Sequence, residues 1–179
     1  MAWIGKTDLD AADGDPKAGM GPIAQAFKAR AFDHVVLLCD WKREQSESFA
    51  AWLAPQTQAS IVVRTVKLRA PTDYEDIYEK ARDAVAWTKS EYGADAALAF
   101  HLSPGTPAMA VIWILLGTTD QAELLQSSVQ QGLQTVKVPF QIAAELIPGI
   151  VRRTDADLEK LAGGLRHDDA SFADLHHVS

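Results

Sequence analysis

The chain has 179 residues, of which 47% are hydrophobic and 23% are charged. These are globular proportions, and they exclude a chain that is disordered, collagen-like or coiled-coil throughout. The 17 Lys and Arg against 24 Asp and Glu leave a net charge of −7, which argues against a domain that grips long nucleic acid but not against a small anionic ligand.

The cysteine content and the apolar runs bear on the compartment. Cys39 is the single cysteine, so it has no partner for an internal disulfide, which favours a reducing compartment. The first residues lack a signal-peptide layout, and the longest apolar run, residues 107–117, is too short to cross a bilayer. We therefore expect a cytoplasmic protein with no membrane partner.

Apolar runs of strand length alternate with stretches of helical spacing along most of the chain. The predicted order is strand 2–4, Gly-rich loop 10–21, helix 23–31, strand 35–39, helix 43–53, strand 61–68, helix 73–92, strand 96–102, helix 108–116, strand 123–126 and strand 135–138. The last two strands are too close in sequence for a crossover helix, so they form an antiparallel hairpin. This alternation predicts an α/β fold, Rossmann-like and doubly wound, with a mostly parallel six-stranded sheet.

The end of the chain changes character. We expect residues 1–150 to form one domain that closes with a short helix at 142–150. Residues 151–179 are charged and poor in large apolar side chains, which predicts a helix at 155–161 followed by a linker.

Ligands of an open parallel sheet bind beyond the carboxyl ends of its strands. This rule selects four segments: Gly5-Lys6-Thr7-Asp8, Asp40-Trp41, Ser103-Pro104-Gly105-Thr106-Pro107 and Ser127-Ser128. In the first, Lys6 could neutralise a phosphate and Asp8 could accept from a ribose hydroxyl or a base, although a solvated strand end is the alternative. For Asp40, an Asx-type turn is the alternative.

The segment from Ser103 to Pro107, which we call the fourth loop, is the most specific of these. Gly105 would let a ligand approach the backbone, Thr106 could cap the following helix, and the free N–H groups of that helix would favour a phosphate. A plain turn with an N-cap explains the same residues equally well. The chain contains neither a P-loop nor a Gly-x-Gly-x-x-Gly motif.

Nucleophile and metal signals are weak. The chain has no Gly-x-Ser-x-Gly motif, and Cys39 lies in an apolar strand as a core thiol would. His101 is the histidine best placed for chemistry, although a hydrogen-bonded core histidine is the more frequent role. The remaining histidines show no zinc spacing with cysteine, so we assign no catalytic residue, metal or cofactor.

Three stretches around the fourth loop carry a family resemblance. FHLSPGTPAM (100–109), IWILL (112–116) and AELLQSS (122–128) resemble the N-terminal sensor domain of sigma-54-dependent transcriptional regulators. The nearest type is the RtcR-like family of RNA-repair operon regulators, whose sensors belong to the CARF (CRISPR-associated Rossmann fold) group. The tail FADLHHVS (172–179) is similar to the lead-in to the AAA+ ATPase domain of such regulators.

The resemblance implies a homodimer that binds a cyclic oligoadenylate, or an RNA end with a cyclic phosphate, across its interface. Ser103, Pro104, Gly105, Thr106 and Met109 would line the ligand, together with Gly5, Lys6, Thr7 and Asp8 from the first segment. Asp40, Ser127 and Ser128 are candidates by the sheet rule alone. The RtcR-like members carry a Thr-rich turn where this chain has Ser103-Pro104, which leaves the ligand open.

We therefore expect a non-enzymatic sensor domain that controls an AAA+ ATPase in a sigma-54-dependent activator. Two alternatives stay open. One is a metal-independent ring nuclease of the CARF type that uses Thr106, Lys6 and His101, and the other is a dimerisation module without a ligand.

Overall fold

The computed structural model of the chain describes residues 1–138. In this part the elements follow in the order β1 (Ala2–Trp3), α1 (Lys6–Ala12), α2 (Pro22–Ala29), β2 (His34–Cys39), α3 (Arg43–Leu53), β3 (Ser60–Thr65), α4 (Tyr74–Tyr92), β4 (Ala99–His101), α5 (Pro107–Thr119), β5 (Glu123–Ser128) and β6 (Gly132–Val136). The predicted helices 142–150 and 155–161, the boundary at residue 150 and the 172–179 tail lie outside the described residues.

The strands form two three-stranded sheets rather than the single six-stranded sheet that we predicted. In one sheet, β1 pairs with β2 and β2 with β3, all parallel. In the other, β4 runs parallel to β5, and β5 forms with β6 the antiparallel hairpin that we predicted. The strands β1 and β4 meet only briefly, because β1 is two residues long. Met1, which precedes β1, makes two hydrogen bonds to β4: its amino group donates to the Ala99 carbonyl at 2.6 Å, and its carbonyl accepts from the His101 N–H at 2.9 Å.

Helices cover both faces of the sheets, as the predicted α/β alternation requires. Neighbouring residues of β2 point to opposite sides, so Leu37 and Leu38 belong to different cores. The core around Leu37 contains side chains of α1, α2 and α3, and the core around Leu38 contains those of α4 and α5. Three aromatic rings fill the second core: Phe100 stacks on Trp113 at 4.5 Å, and Trp113 lies 6.4 Å from Trp3.

The first segment is not the loop that we predicted, because α1 begins at Lys6. Gly5 is its N-cap, and the Asp8 carboxylate accepts a hydrogen bond from the Gly5 N–H at 3.1 Å. Leu9 and Ala11 are buried, so the helix is held by tertiary packing despite its seven residues. Its two aspartates, Asp8 and Asp10, made this segment resemble a loop in the sequence.

Two further boundaries differ in ways that matter for the site. The strand β3 ends at Thr65 rather than residue 68, so residues 66–73 form a connection at the carboxyl edge of the sheet. Ser127 and Ser128 belong to β5 rather than to a loop. Among residues 1–138, no helix is both long and apolar enough to span a membrane.

Candidate functional site

The first segment and the fourth loop meet through two glycines. A Cβ atom on Gly5 would lie 2.6 Å from the Gly105 backbone nitrogen, so the two main chains are in direct contact. Gly105 has φ +89°, and a Cβ there would lie 2.7 Å from Met109 Sδ and 3.2 Å from Trp3 Cβ. Side chains are excluded at both positions, and the N-termini of α1 and α5 are therefore held side by side.

The N-terminus of α5 is partly closed by its own side chains. The hydroxyl of Thr106 accepts from the Met109 N–H at 3.3 Å and donates to the Pro71 carbonyl at 2.7 Å. The Thr106 N–H points at Met109 Sδ, 3.4 Å away. Of the free N–H groups that we predicted here, those of Gly105 and Ala108 keep no acceptor within residues 1–138.

Hydrogen bonds of Ser103 connect the fourth loop to β5. Ser103 Oγ donates to the Ser127 carbonyl at 2.9 Å and accepts from the Ser127 N–H at 2.7 Å. The Ser127 hydroxyl donates to the Pro22 carbonyl at 3.2 Å and lies 2.8 Å from His101 Nε2. A ring protonated on Nε2 satisfies both contacts, because the hydroxyl then accepts from His101 while it donates to Pro22. Burial, with a smaller contribution from the positive amino terminus, lowers the pKa of His101 to about 4, so its ring is neutral at pH 7.

The charged residues of the first segment have separate surroundings. Lys6 and Thr7 are exposed, and the Lys6 ammonium pairs with Asp10 one turn along α1. Asp8 is 1% exposed, and its other carboxylate oxygen accepts from the Ile23 N–H at 2.9 Å. Burial raises the pKa of Asp8 to about 6, against the opposing effect of backbone N–H groups. Both Asp8 oxygens are thus bound to the protein backbone.

The segment Asp40-Trp41 makes hydrogen bonds to two neighbouring connections at the carboxyl edge. Asp40 Oδ1 accepts from the Leu68 N–H at 2.8 Å, and the Trp41 indole N–H donates to the Ile4 carbonyl at 2.9 Å. Of the remaining candidates, Pro104 is buried beside Gly105. The Ser128 hydroxyl accepts from Gln131 in the hairpin turn.

The connection 66–73 belongs to the same edge, and our sequence analysis did not include it. It provides the carbonyl of Pro71 that binds Thr106, and it carries the exposed cations Lys67 and Arg69. Arg69 pairs with Asp73 and Glu75. The signal was present in the sequence, since both cations follow a β-branched run, but we extended the strand to residue 68, through Lys67 and up to Arg69.

A cavity of about 560 Å³ lies at the opposite, amino edge of the strands. Its walls include His34 stacked on Tyr92 at 4.1 Å and an ion pair between Arg30 and Glu123. These groups are already paired with one another, whereas the carboxyl edge keeps unpaired backbone N–H groups. We therefore place the candidate site at the carboxyl edge. Within residues 1–138, no cluster of His, Cys, Asp and Glu is arranged to hold a metal ion.

Comparison with solved structures finds proteins of similar fold. Enterococcus italicus Csm6 bound to cyclic hexa-2'-fluoro-hexa-dAMP matches with a TM-score of 0.62 and 16% sequence identity. At this low identity the likeness is one of fold alone. The match covers 88% of this chain and 46% of that one, so the chain spans less than half the length of Csm6. No protein-family model matches the sequence, and neither does any curated protein. The comparisons thus support the CARF-like part of the resemblance and not its sigma-54 part.

Proposed function

We propose that the chain is a sensor domain that binds a cyclic oligonucleotide at the carboxyl edge of its parallel strands. The observation that carries the proposal is the contact between Gly5 and Gly105, which brings two helix N-termini together at that edge. Helix N-termini favour anions, and the Gly105 and Ala108 N–H groups keep no acceptor within residues 1–138. The fold is similar to that of Csm6, which was solved with a cyclic oligonucleotide bound.

The charge around the edge suits a phosphate ligand despite the net charge of −7. Lys6, the first residue of α1, and Arg69, within the connection 66–73, are exposed there. Each pairs with acidic neighbours on the surface, and such exposed pairs are worth about 0–1 kcal/mol, so a phosphate can replace the partner at little cost.

The wider role belongs to the same proposal. Binding would shift a homodimer between two arrangements and so control an AAA+ ATPase in a sigma-54-dependent activator, as the sequence resemblance implies. An RNA end with a cyclic phosphate offers the same anionic chemistry and is the second ligand to test.

The ring nuclease is the second candidate because it would use the same edge. The Thr106 hydroxyl is bound to Pro71 and Met109, and His101 is 5% exposed, so neither group is free to activate a ribose hydroxyl. This geometry favours sensing over cleavage. Chromatography of cyclic hexa-adenylate after hours with the protein separates the two, since intact ligand excludes the nuclease.

The proposal is tested by thermal unfolding with cyclic tetra-adenylate, cyclic hexa-adenylate and a short RNA with a 2',3'-cyclic phosphate. A ligand at 100 times its Kd stabilises a protein by about 2.7 kcal/mol, which raises Tm by several degrees. We expect one of the three to do so, and we expect the Lys6→Ala, Thr106→Ala double variant to abolish the shift.

The matched control is Lys28→Ala, which removes an exposed lysine from the last turn of α2 at the opposite edge. It should bind as the wild type does. If the double variant also binds as the wild type does, the site is misplaced. If calorimetry detects no heat with any of the three probes, the ligand-free dimerisation module is the better description.

A further inference from the structure

One buried carboxylate joins two helix N-termini directly beneath the candidate site. Asp8 Oδ2 accepts from the Gly5 N–H at 3.1 Å, and Asp8 Oδ1 accepts from the Ile23 N–H at 2.9 Å. Gly5 is the N-cap of α1, and Ile23 lies in the first turn of α2, fifteen residues away from Asp8. A single side chain therefore sets the relative position of these two helices.

The chain covers Asp8 closely from the other side. Gly21 has φ +71°, and a Cβ there would lie 3.2 Å from both the Cα and the Oδ1 atoms of Asp8. Backbone thus shields the carboxylate from water. The positive ends of the α1 and α2 dipoles face it and compensate part of the cost of burying its charge.

Hydrogen bonds continue from α2 to the fourth loop. The Pro22 carbonyl, next to Ile23, accepts from the Ser127 hydroxyl at 3.2 Å, and that hydroxyl binds His101. The Ser127 backbone is held twice by Ser103. Asp8 is thereby connected to the fourth loop by two routes, one through α2 and β5 and one through the Gly5–Gly105 contact.

We propose that Asp8 is a positioning residue for the nucleotide site, which fixes Gly5 against Gly105 without touching the ligand itself. The inference rests on the proposed function, and it changes the role of Asp8 from a ligand contact to a support. Its carboxylate has no accessible oxygen for a ribose or a base, whereas its loss would release Gly5 and α2 together.

The first test is a nuclear magnetic resonance titration of the ligand-free protein between pH 5 and 7. Burial raises the pKa of Asp8 to about 6, and no charged side chain contributes to that shift. The nearest charges in sequence, Lys6 and Asp10, pair with each other on the surface. His101, two hydrogen bonds beyond Pro22, has a pKa of about 4 and stays neutral in this range. We expect the N–H signals of Gly5, Ile23 and Gly105 to move with one midpoint near pH 6.

Gly105 makes this readout informative, because its N–H is not bonded to Asp8 and its signal follows Asp8 only if one of the two routes transmits the change. In Asp8→Asn, the pH dependence of all three signals should vanish. Cyclic hexa-adenylate should bind at least tenfold more weakly than to the wild type. Asp15→Asn is the control, since Asp15 is exposed and caps a local turn through the Lys17 N–H; it should leave signals and affinity unchanged.

The outcomes separate this inference from the proposed function. If the wild type binds the ligand and Asp8→Asn binds it equally well, Asp8 does not position the site. If no ligand binds, the proposed function fails, and the Gly105 signal decides alone: movement near pH 6 supports the positioning role, and a flat signal overturns it. The wild-type titration keeps this test valid even if Asp8→Asn does not fold.

Discussion

At the carboxyl edge, the backbone conformation and the close packing restrict which residue can occupy a given position. Gly105 adopts φ +89°, a region that L side chains rarely occupy, and its missing Cβ makes room for Met109 and Trp3. Gly14 has a nearly identical φ of +82°, yet no atom lies within 4 Å of the position that its Cβ would take. A comparison of the two glycines therefore separates the effect of backbone strain on stability from the effect of close packing.

Gly105→Ala should destabilise the protein more than Gly14→Ala does. Both variants incur the backbone cost of a left-handed alanine, roughly 1 kcal/mol. Gly105→Ala adds overpacking against Met109 and Trp3, about 1–3 kcal/mol more. Urea unfolding of the two variants measures the difference. Equal losses would mean that the fourth loop is not packed against β1 as described.

Among the elements, α5 has a composition that does not match its position. Its thirteen residues include no charged side chain, as is typical of a helix that is buried all round. Val111 and Leu115, one turn apart, are nevertheless 40% and 49% exposed. Tyr74 and Tyr78 are exposed on α4, which packs against α5. An apolar face of this kind favours a protein partner. In the homodimer that the resemblance implies, that partner would be a second copy of the chain.

Leu115→Lys should weaken the dimer. Burying one leucine contributes about 1.5–3 kcal/mol, and a lysine in its place also brings a charge into the interface, so the dimer Kd should rise at least tenfold. Sedimentation at several concentrations measures this constant. Val129→Lys is the control, because Val129 is 85% exposed in the hairpin turn between β5 and β6 rather than on α5. A monomeric wild type, or equal effects of the two variants, would contradict the interface.

At the scale of the whole molecule, the buried side chains of Asp8 and His101 make contributions to stability that change with pH in opposite senses. The pKa of Asp8 rises from 3.8 to about 6 because of burial, so its contribution is present at pH 4 and is lost as the pH rises through 6. The pKa of His101 falls from 6.5 to about 4 because of burial, so its contribution is present above pH 6.5 and is lost as the pH falls through 4. Each change corresponds to roughly 3 kcal/mol.

Between pH 4 and 6 these two contributions should nearly cancel in the wild type. Relative to the wild type, Asp8→Asn should lose stability as the pH falls, and His101→Gln should gain stability as the pH falls. Denaturant unfolding at pH 4, 5 and 6 gives the two slopes. The double variant serves as an internal control, since its profile should run parallel to that of the wild type. Parallel profiles for the single variants would refute the burial of both groups.

The elements were largely predictable, because their signals are local. The helix Arg43–Leu53 agrees at both ends with its prediction, and the hairpin of β5 and β6 follows from the short spacing between two apolar runs. The helix α1 was not predictable in this way: it is short and rich in aspartate, and it depends on Asp8 being buried beneath Gly21. The division into two sheets depends on the length of β1, which no local pattern specifies.

The candidate site was predictable as a set of segments but not as an arrangement. The rule for parallel sheets selected Gly5, Ser103 and Gly105, and the structure brings the first segment and the fourth loop together. The rule could not predict that the Thr106 hydroxyl binds the Met109 N–H while Met109 Sδ lies against the Thr106 N–H. Nor could it predict that Asp8 faces inward. Lys67 was missed because the predicted strand ended three residues too late, and the shortened connection that remained, with Arg69, was not considered.

The sequence by itself determined the α/β alternation, the parallel strands with a closing hairpin, and the glycine and hydroxyl residues at the strand ends. Spacing and side-chain type act over a few residues, so they are legible without a structure. The tertiary structure alone decided which of those residues meet: whether a carboxylate faces water or two helix ends, and whether a helix N–H is free or capped. Such outcomes depend on burial and on contacts between segments far apart in the chain, as the hydrogen bond between Ser127 and Pro22 illustrates.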